Sequence, residues 1–261
     1  MKGSGNMGYS VVTKKKLMLS SFVILFGIMI AVCIAYGASR VVGTMQDKKD
    51  IPIYSVDTQE KKVAITFNCA WDDKDIDALL QILEGYNAKC TFFVVGQWCE
   101  TYPESVKKLA EAGHEVMSHS DTHADMTQIS NEQIQAEIQN SCDKIQAVTG
   151  ARPTLFRVPS GSYNSEVVRA VRDAGLECIQ WDIDSVDWKK PGVETIVERV
   201  IGKVKNGSIV LFHSGAPDTP TALPRILDQL REKGYEFVTV SSLIYPAPYT
   251  LDHEGRQHQD L

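Results

Sequence analysis

Between Val63 and Val240 short, almost wholly apolar runs alternate with longer segments whose apolar residues recur every three to four positions. Few folds satisfy that pattern. The runs 63–67, 91–95, 114–117, 155–158, 176–181, 208–212 and 237–240 read as strands. They lack the in-out alternation of a half-exposed sheet, so both of their faces are expected to be covered. The segments 76–86, 103–112, 130–148, 165–174, 193–205 and 222–233 read as helices. Ser130 is a plausible N-cap, with Gln133 placed to complete a capping box, and Gly113, Gly175 and Gly234 follow helices as stops. Strand-helix repetition of this kind means a parallel α/β sheet. About seven repeats favour a distorted (β/α) barrel of about seven strands over an open sheet.

In such barrels the strand C-terminal ends converge on one mouth. Here Asn68, His119, Arg157, Asp182, Asp184 and His213 each follow an apolar run. His119 and His123 are four residues apart, which lets both imidazoles reach one ion from a helical turn. Imidazole suits several transition metals. Taken singly, each feature has a plainer reading. Two histidines can sit on an exposed loop, Asp182, Asp184 and Asp187 can form a solvated acidic loop, and Arg157 can be a structural ion-pair partner. His213 can be a core histidine, and 159–163 an ordinary turn. Their joint placement after successive strands is what argues for a site.

The remaining segments divide as follows. Residues 1–40 carry five Lys/Arg and no acid, which leaves 22 basic against 33 acidic residues in the rest. An acidic body argues against a nucleic-acid partner. Lys14, Lys15 and Lys16 precede the uncharged run 17–38, which has about the ~20 residues that a bilayer core needs. It exceeds the roughly 7–15 residues of a signal-peptide core. It is therefore expected to be an N-terminal transmembrane signal anchor, with 1–16 cytoplasmic and the body outside the cell membrane. Residues 39–60 are expected to be a linker, 61–245 the domain, and 246–261 a polar, loosely ordered tail. The six cysteines are irregularly spaced and include no C-x-x-C pair. Scattered buried thiols are expected, and one disulfide is compatible with the count.

Five stretches together resemble the NodB-homology polysaccharide deacetylases, also called carbohydrate esterase family four. They are 66–71 (Thr-Phe-Asn-Cys-Ala-Trp), 118–123, 157–163 (Arg-Val-Pro-Ser-Gly-Ser-Tyr), 184–188 and 211–213. The resemblance covers about 62–243 and is nearest to the membrane-anchored, sporulation-associated branch. It implies a hydrolase that removes N-acetyl groups from cell-wall or spore-wall glycan such as peptidoglycan. It also implies a divalent metal, zinc first, with cobalt or nickel as alternatives. His119 and His123 would be ligands. Tyr163 would offer a backbone N–H to the oxyanion on a turn shaped by Pro159. His213 would be the general acid, oriented by a carboxylate from Asp184 or Asp187. Trp188 and Leu211 would wall the acetyl pocket.

One motif departs from the family, which has Asp-Asp where this chain has Asn68-Cys69. The first Asp is the family's base, held by the arginine that corresponds to Arg157, and the second is its third metal ligand. Asn68 cannot act as a base. Cys69 could ligate zinc as a thiolate. Alternatively Asp72 or Asp73 bends back into the site, or no stable metal is held. The rival expectation is a weakened member of the fold that binds glycan or supports spore-wall assembly.

Overall fold

The computed structural model describes residues 26–33 and 50–259. The chain divides into two units, 1–49 and 50–261. In the first, residues 26–33 form a helix (α1) whose apolar side chains are exposed. Most of the expected anchor 17–38 lies outside the described residues. No helix among the described residues is long and apolar enough to cross a membrane.

The second unit is built on β2 (Lys62–Cys69), flanked by β8 (Ser208–His213) and β3 (Thr91–Val94), with β4 (Glu115–Ser118), β5 (Leu155–Phe156) and β6 (Glu177–Cys178) following in parallel. From β6 the chain runs through residues 179–182 into β7 (Ile183–Asp184), which pairs with β8. The sheet thus curls round on itself. At the opposite end of this seam, Ile53 bridges to Ile179, while β1 (Ser55–Val56) pairs with β8. Helices α2 (Ile76–Gly85), α3 (Gly96–Thr101), α4 (Pro103–Glu111), α5 (Asn131–Thr149), α6 (Ser165–Asp173), α7 (Val193–Ile201) and α8 (Thr219–Glu232) follow the strands.

Strand alternation gives β2 two different faces. Val63, Ile65, Phe67 and Cys69 belong to a core cluster shared with residues of α2, α4, α7 and α8. Ala64 belongs to another cluster, with Phe93, Leu155, Ile179 and Ile209, and Thr66 and Asn68 share its face of the strand. All five cysteines of this unit are free and buried.

The capping box of α5 is present. Gln133 N donates to Ser130 Oγ and Ser130 N donates to Gln133 Oε1. Ser130→Ala should lower stability by about 1 kcal/mol, the usual worth of such a cap, as read by thermal melting.

Three expectations are corrected. Residues 50–60 are not linker, because Ile53 and Val56 are fully buried in the sheet. The tail is not loose: β10 (Tyr249–Leu251) and β11 (Arg256–Gln259) form a hairpin paired to β1. Its polar residues are satisfied within the fold, with Gln257 bonded both ways to the Tyr245 backbone and Arg256 paired with Asp57. The seventh expected strand shrinks to β9 (Glu236–Phe237). The Thr239 hydroxyl then accepts from Ser242 N and starts a short helix, α9 (Val240–Leu243).

Candidate active site

The ends of β2, β4, β7 and β8 and the loops after them enclose a cleft of about 340 Å³. Asn68, His119, His123, Asp184, Trp188, Leu211 and His213 line it, as the strand-end argument requires. Ala70, Trp71, Ser160 and Trp181 line it as well.

His213 closes β8 with its backbone N and Nδ1 both 2.8 Å from the Asp187 carboxylate. Asp187 is fully buried and also accepts from Trp188 N at 2.8 Å and Thr219 Oγ1 at 2.7 Å. It is therefore the carboxylate that orients His213. Asp184 instead turns its Oδ1 back to Val186 N. With Nδ1 hydrogen-bonded to Asp187, Nε2 is the ring nitrogen left for the cleft. The indole of Trp71 stacks on this imidazole, centroids 5.3 Å apart.

His119 is fully buried, and its Nδ1 lies 2.8 Å from Arg157 O. A carbonyl only accepts, so Nδ1 carries the proton and Nε2 is a free lone pair. Nε2 is buried with no hydrogen-bond partner. Burial, reinforced by the neighbouring His123, holds the pKa of His119 well below the usual histidine value. The His123 ring stands edge-on to it, centroids 5.0 Å apart. A neutral imidazole with an orphaned Nε2 beside a second imidazole is a fitting half-site for a transition metal.

Among the described residues nothing completes this half-site. Cys69, expected as third ligand, sits one residue beyond Asn68 and so projects into the opposite, apolar layer. Burial pushes its thiol up to about 12, within reach of Ser214. Asp72 pairs with Lys74 and Asp73 accepts from Ser105, so neither turns into the cleft. Among the described residues no group of three or more His, Cys, Asp or Glu is arranged to hold a metal.

Arg157 is fully buried and, among the described residues, has no carboxylate partner. Its guanidinium donates to Thr66 Oγ1 (2.9 Å), Asn68 Oδ1 (3.0 Å) and Gln180 O (3.1 Å). It also stacks 4.0 Å above the Phe93 ring. Burial depresses its pKa, and the dipoles of these acceptors and the rings of Phe93 and Trp181 offset that cost. The bond from Arg157 fixes the Asn68 amide, so its Nδ2 faces the cleft as a donor where a base would need an acceptor.

Pro159 is buried at the start of a 3-10 turn and does not line the cleft, whereas its neighbour Ser160, in a left-handed conformation at φ 54°, does. Tyr163 is not on that wall. Its hydroxyl accepts from Tyr54 OH at 3.1 Å and its ring packs beside the α5–α6 core. Trp71 and Trp181 could have been found, since both lie in stretches singled out for their neighbours.

Behind His213, Asp75 accepts from Gly215 N, and burial raises its pKa to about 6. A carboxyl raised in this way favours the folded state while protonated. Stability should therefore fall as pH rises from about 4, the ordinary aspartate value, to about 6. Asp75→Asn should flatten that part of the stability curve, measured by urea unfolding between pH 4 and 7.

The polysaccharide deacetylase family matches residues 55–179. A peptidoglycan-N-acetylglucosamine deacetylase of Bacillus cereus is 36% identical over 196 residues, covering 73% of this chain and 92% of that protein. The uncharacterized protein YlxY of Bacillus subtilis is 32% identical over 195 residues, 74% of this chain and 60% of that protein. This chain thus spans less than two thirds of YlxY. Among solved structures, a CE4 family pseudoenzyme from Bacillus anthracis aligns at TM-score 0.72 with 34% identity, covering 74% of this chain and 68% of that chain. A mutant of that pseudoenzyme with restored enzymatic activity also aligns at TM-score 0.72 with 34% identity, covering 74% of this chain and 71% of that one.

Proposed function

The chain belongs to the polysaccharide deacetylase family, and on that premise we propose that its cleft removes N-acetyl groups from peptidoglycan or a related wall glycan. The observation that carries this reading is the His213–Asp187–Thr219 relay beside His119 Nε2. Amide hydrolysis must protonate a leaving amine, and His213, held by Asp187, can present its Nε2 proton there. Leu211 and Trp188 make an apolar wall suited to an acetyl methyl. His119 and His123 would hold a zinc, cobalt or nickel ion. When bound, such an ion supplies Lewis acidity toward the acetyl carbonyl and an acidified water. Asn68 would donate to an acetamido oxygen rather than take a proton from water.

That last point favours a second reading, a member of the fold that binds acetylated glycan with little or no turnover. The missing base and third ligand support it, as does the likeness to the Bacillus anthracis pseudoenzyme. A membrane anchor at 17–38, with the domain outside, belongs to the proposal and rests on the length and flanking lysines of that run. A role at the spore wall rests on the resemblance alone.

Mass spectrometry of N-acetylglucosamine oligomers incubated with the full chain and added Zn, Co or Ni tests both readings. Loss of acetyl groups supports the first. Binding without loss supports the second, and neither binding nor loss refutes both.

A further inference from the structure

The loop from His119 to His123 is held in an unfavourable backbone shape. Ser120 and His123 both adopt left-handed conformations, φ 66° and 61°. Outside glycine each such residue costs of order 1–3 kcal/mol and persists only where the surroundings impose it. Here those surroundings are two helices. On one side, Gly96 N and Gln97 N, in the first turn of α3, donate to Ser120 O and Asp121 O, both at 2.9 Å. A side chain at Gly96 would stand only 2.2 Å from Asp121 Oδ1. On the other side is α5. Glu137 Oε2 accepts from Asp121 N and Thr122 N at 2.8 Å each, and Oε1 accepts from Thr122 Oγ1 at 2.6 Å. Lys144, from the same helix, bonds Asp121 Oδ1 at 2.7 Å.

The two histidines depend on this frame unequally. His119 is buried, and Arg157 O holds its ring directly. His123 is exposed, and its backbone N reaches only Ser120 Oγ, within the loop itself. The place of its ring relative to His119 Nε2 is therefore set by residues 120–122, the segment that Glu137 grips by three bonds.

We infer that Glu137 is the positioning residue of the histidine pair, holding the loop in the shape that brings His123 beside His119. It acts by reach and hydrogen bonding. A glutamine in its place keeps one oxygen for the two amides and can donate its N–H to the Thr122 hydroxyl, which accepts as readily as it donates. An aspartate keeps the charge but is one methylene too short. The inference rests on the reading that the pair holds a metal.

The test is cobalt titration of the full chain, following calorimetric affinity and the visible absorption of Co(II), with folding checked by circular dichroism. Glu137→Ala and Glu137→Asp should each weaken cobalt about 10–100-fold, the usual effect of losing an outer support of a ligand, and alter the absorption band. Glu137→Gln should stay within about threefold of wild type, since all three contacts survive. Wild-type affinity and spectrum in the Ala or Asp variant would overturn the inference. So would a Gln variant as weak as Ala, because charge and not position would then be at work. A wild-type chain that binds no cobalt would overturn the metal reading itself and this inference with it. Should Glu137→Ala not fold, Glu137→Asp decides alone.

Discussion

Asn68→Asp should raise N-acetyl hydrolysis by about 10²–10⁴, the usual contribution of a positioned general base. The surroundings are already those of a carboxylate. Arg157 points at position 68 from 3.0 Å, fully buried and, among the described residues, without an acid partner. An aspartate there would give that cation its missing counter-charge, and the cation would in turn keep the aspartate ionised. The change is nearly isosteric, so the fold has little to absorb. Thermal stability should hold or rise, because an uncompensated buried charge is replaced by a hydrogen-bonded pair.

Adding Cys69→Asp, to copy the family's Asp-Asp, should undo this. The side chain at 69 projects into the apolar layer beside Phe67 and Val94, fully buried. A carboxylate there costs several kcal/mol and finds no cation. The double variant should melt far below the single one. A folded Asn68→Asp chain, supplied with metal and inactive on every acetylated glycan tested, would mean that position 68 is no base site in this protein.

The contrast between residues 68 and 69 shows what the sequence could and could not convey. The apolar runs gave the barrel strands because burial on both faces leaves a plain compositional trace. The polar strand ends pointed to the cleft for the same reason. Cys69 was placed among the ligands because the family has an aspartate there, although the strand's own alternation sets it on the face of Val63, Ile65 and Phe67, opposite Thr66 and Asn68. Gly96 opens α3, and the demand for glycine there comes from Asp121, distant in sequence. The terminal hairpin was hidden by its polarity. Gln257 and Arg256 look like solvated tail until the Tyr245 backbone and Asp57 stand beside them. Choosing Asp187 over Asp184 likewise needed the fold, since the two carboxylates are only three residues apart in sequence.

Asp187→Ala should lower any turnover by about 10²–10⁴ and also destabilise the domain, by an amount larger than a surface change would. Asp187 is fully buried and its two oxygens receive four donors: His213 N, His213 Nδ1, Trp188 N and Thr219 Oγ1. Removing it strands two backbone N–H groups and a hydroxyl, each at about 1–3 kcal/mol. It also frees the His213 ring to choose the other tautomer. Asp187→Asn should not rescue the loss. Whichever way the amide is turned, its N–H₂ meets a backbone N–H, either that of His213 or that of Trp188, and one donor faces another. Thr219→Val, which removes a single donor, should leave the ring in place and cost less in both respects. Histidine NMR can separate the parts, since loss of the Nδ1–H signal of His213 in the Asp187 variants would report the lost orientation directly. If Asp187→Asn retained both wild-type stability and turnover, the carboxylate would not be the group that orients His213.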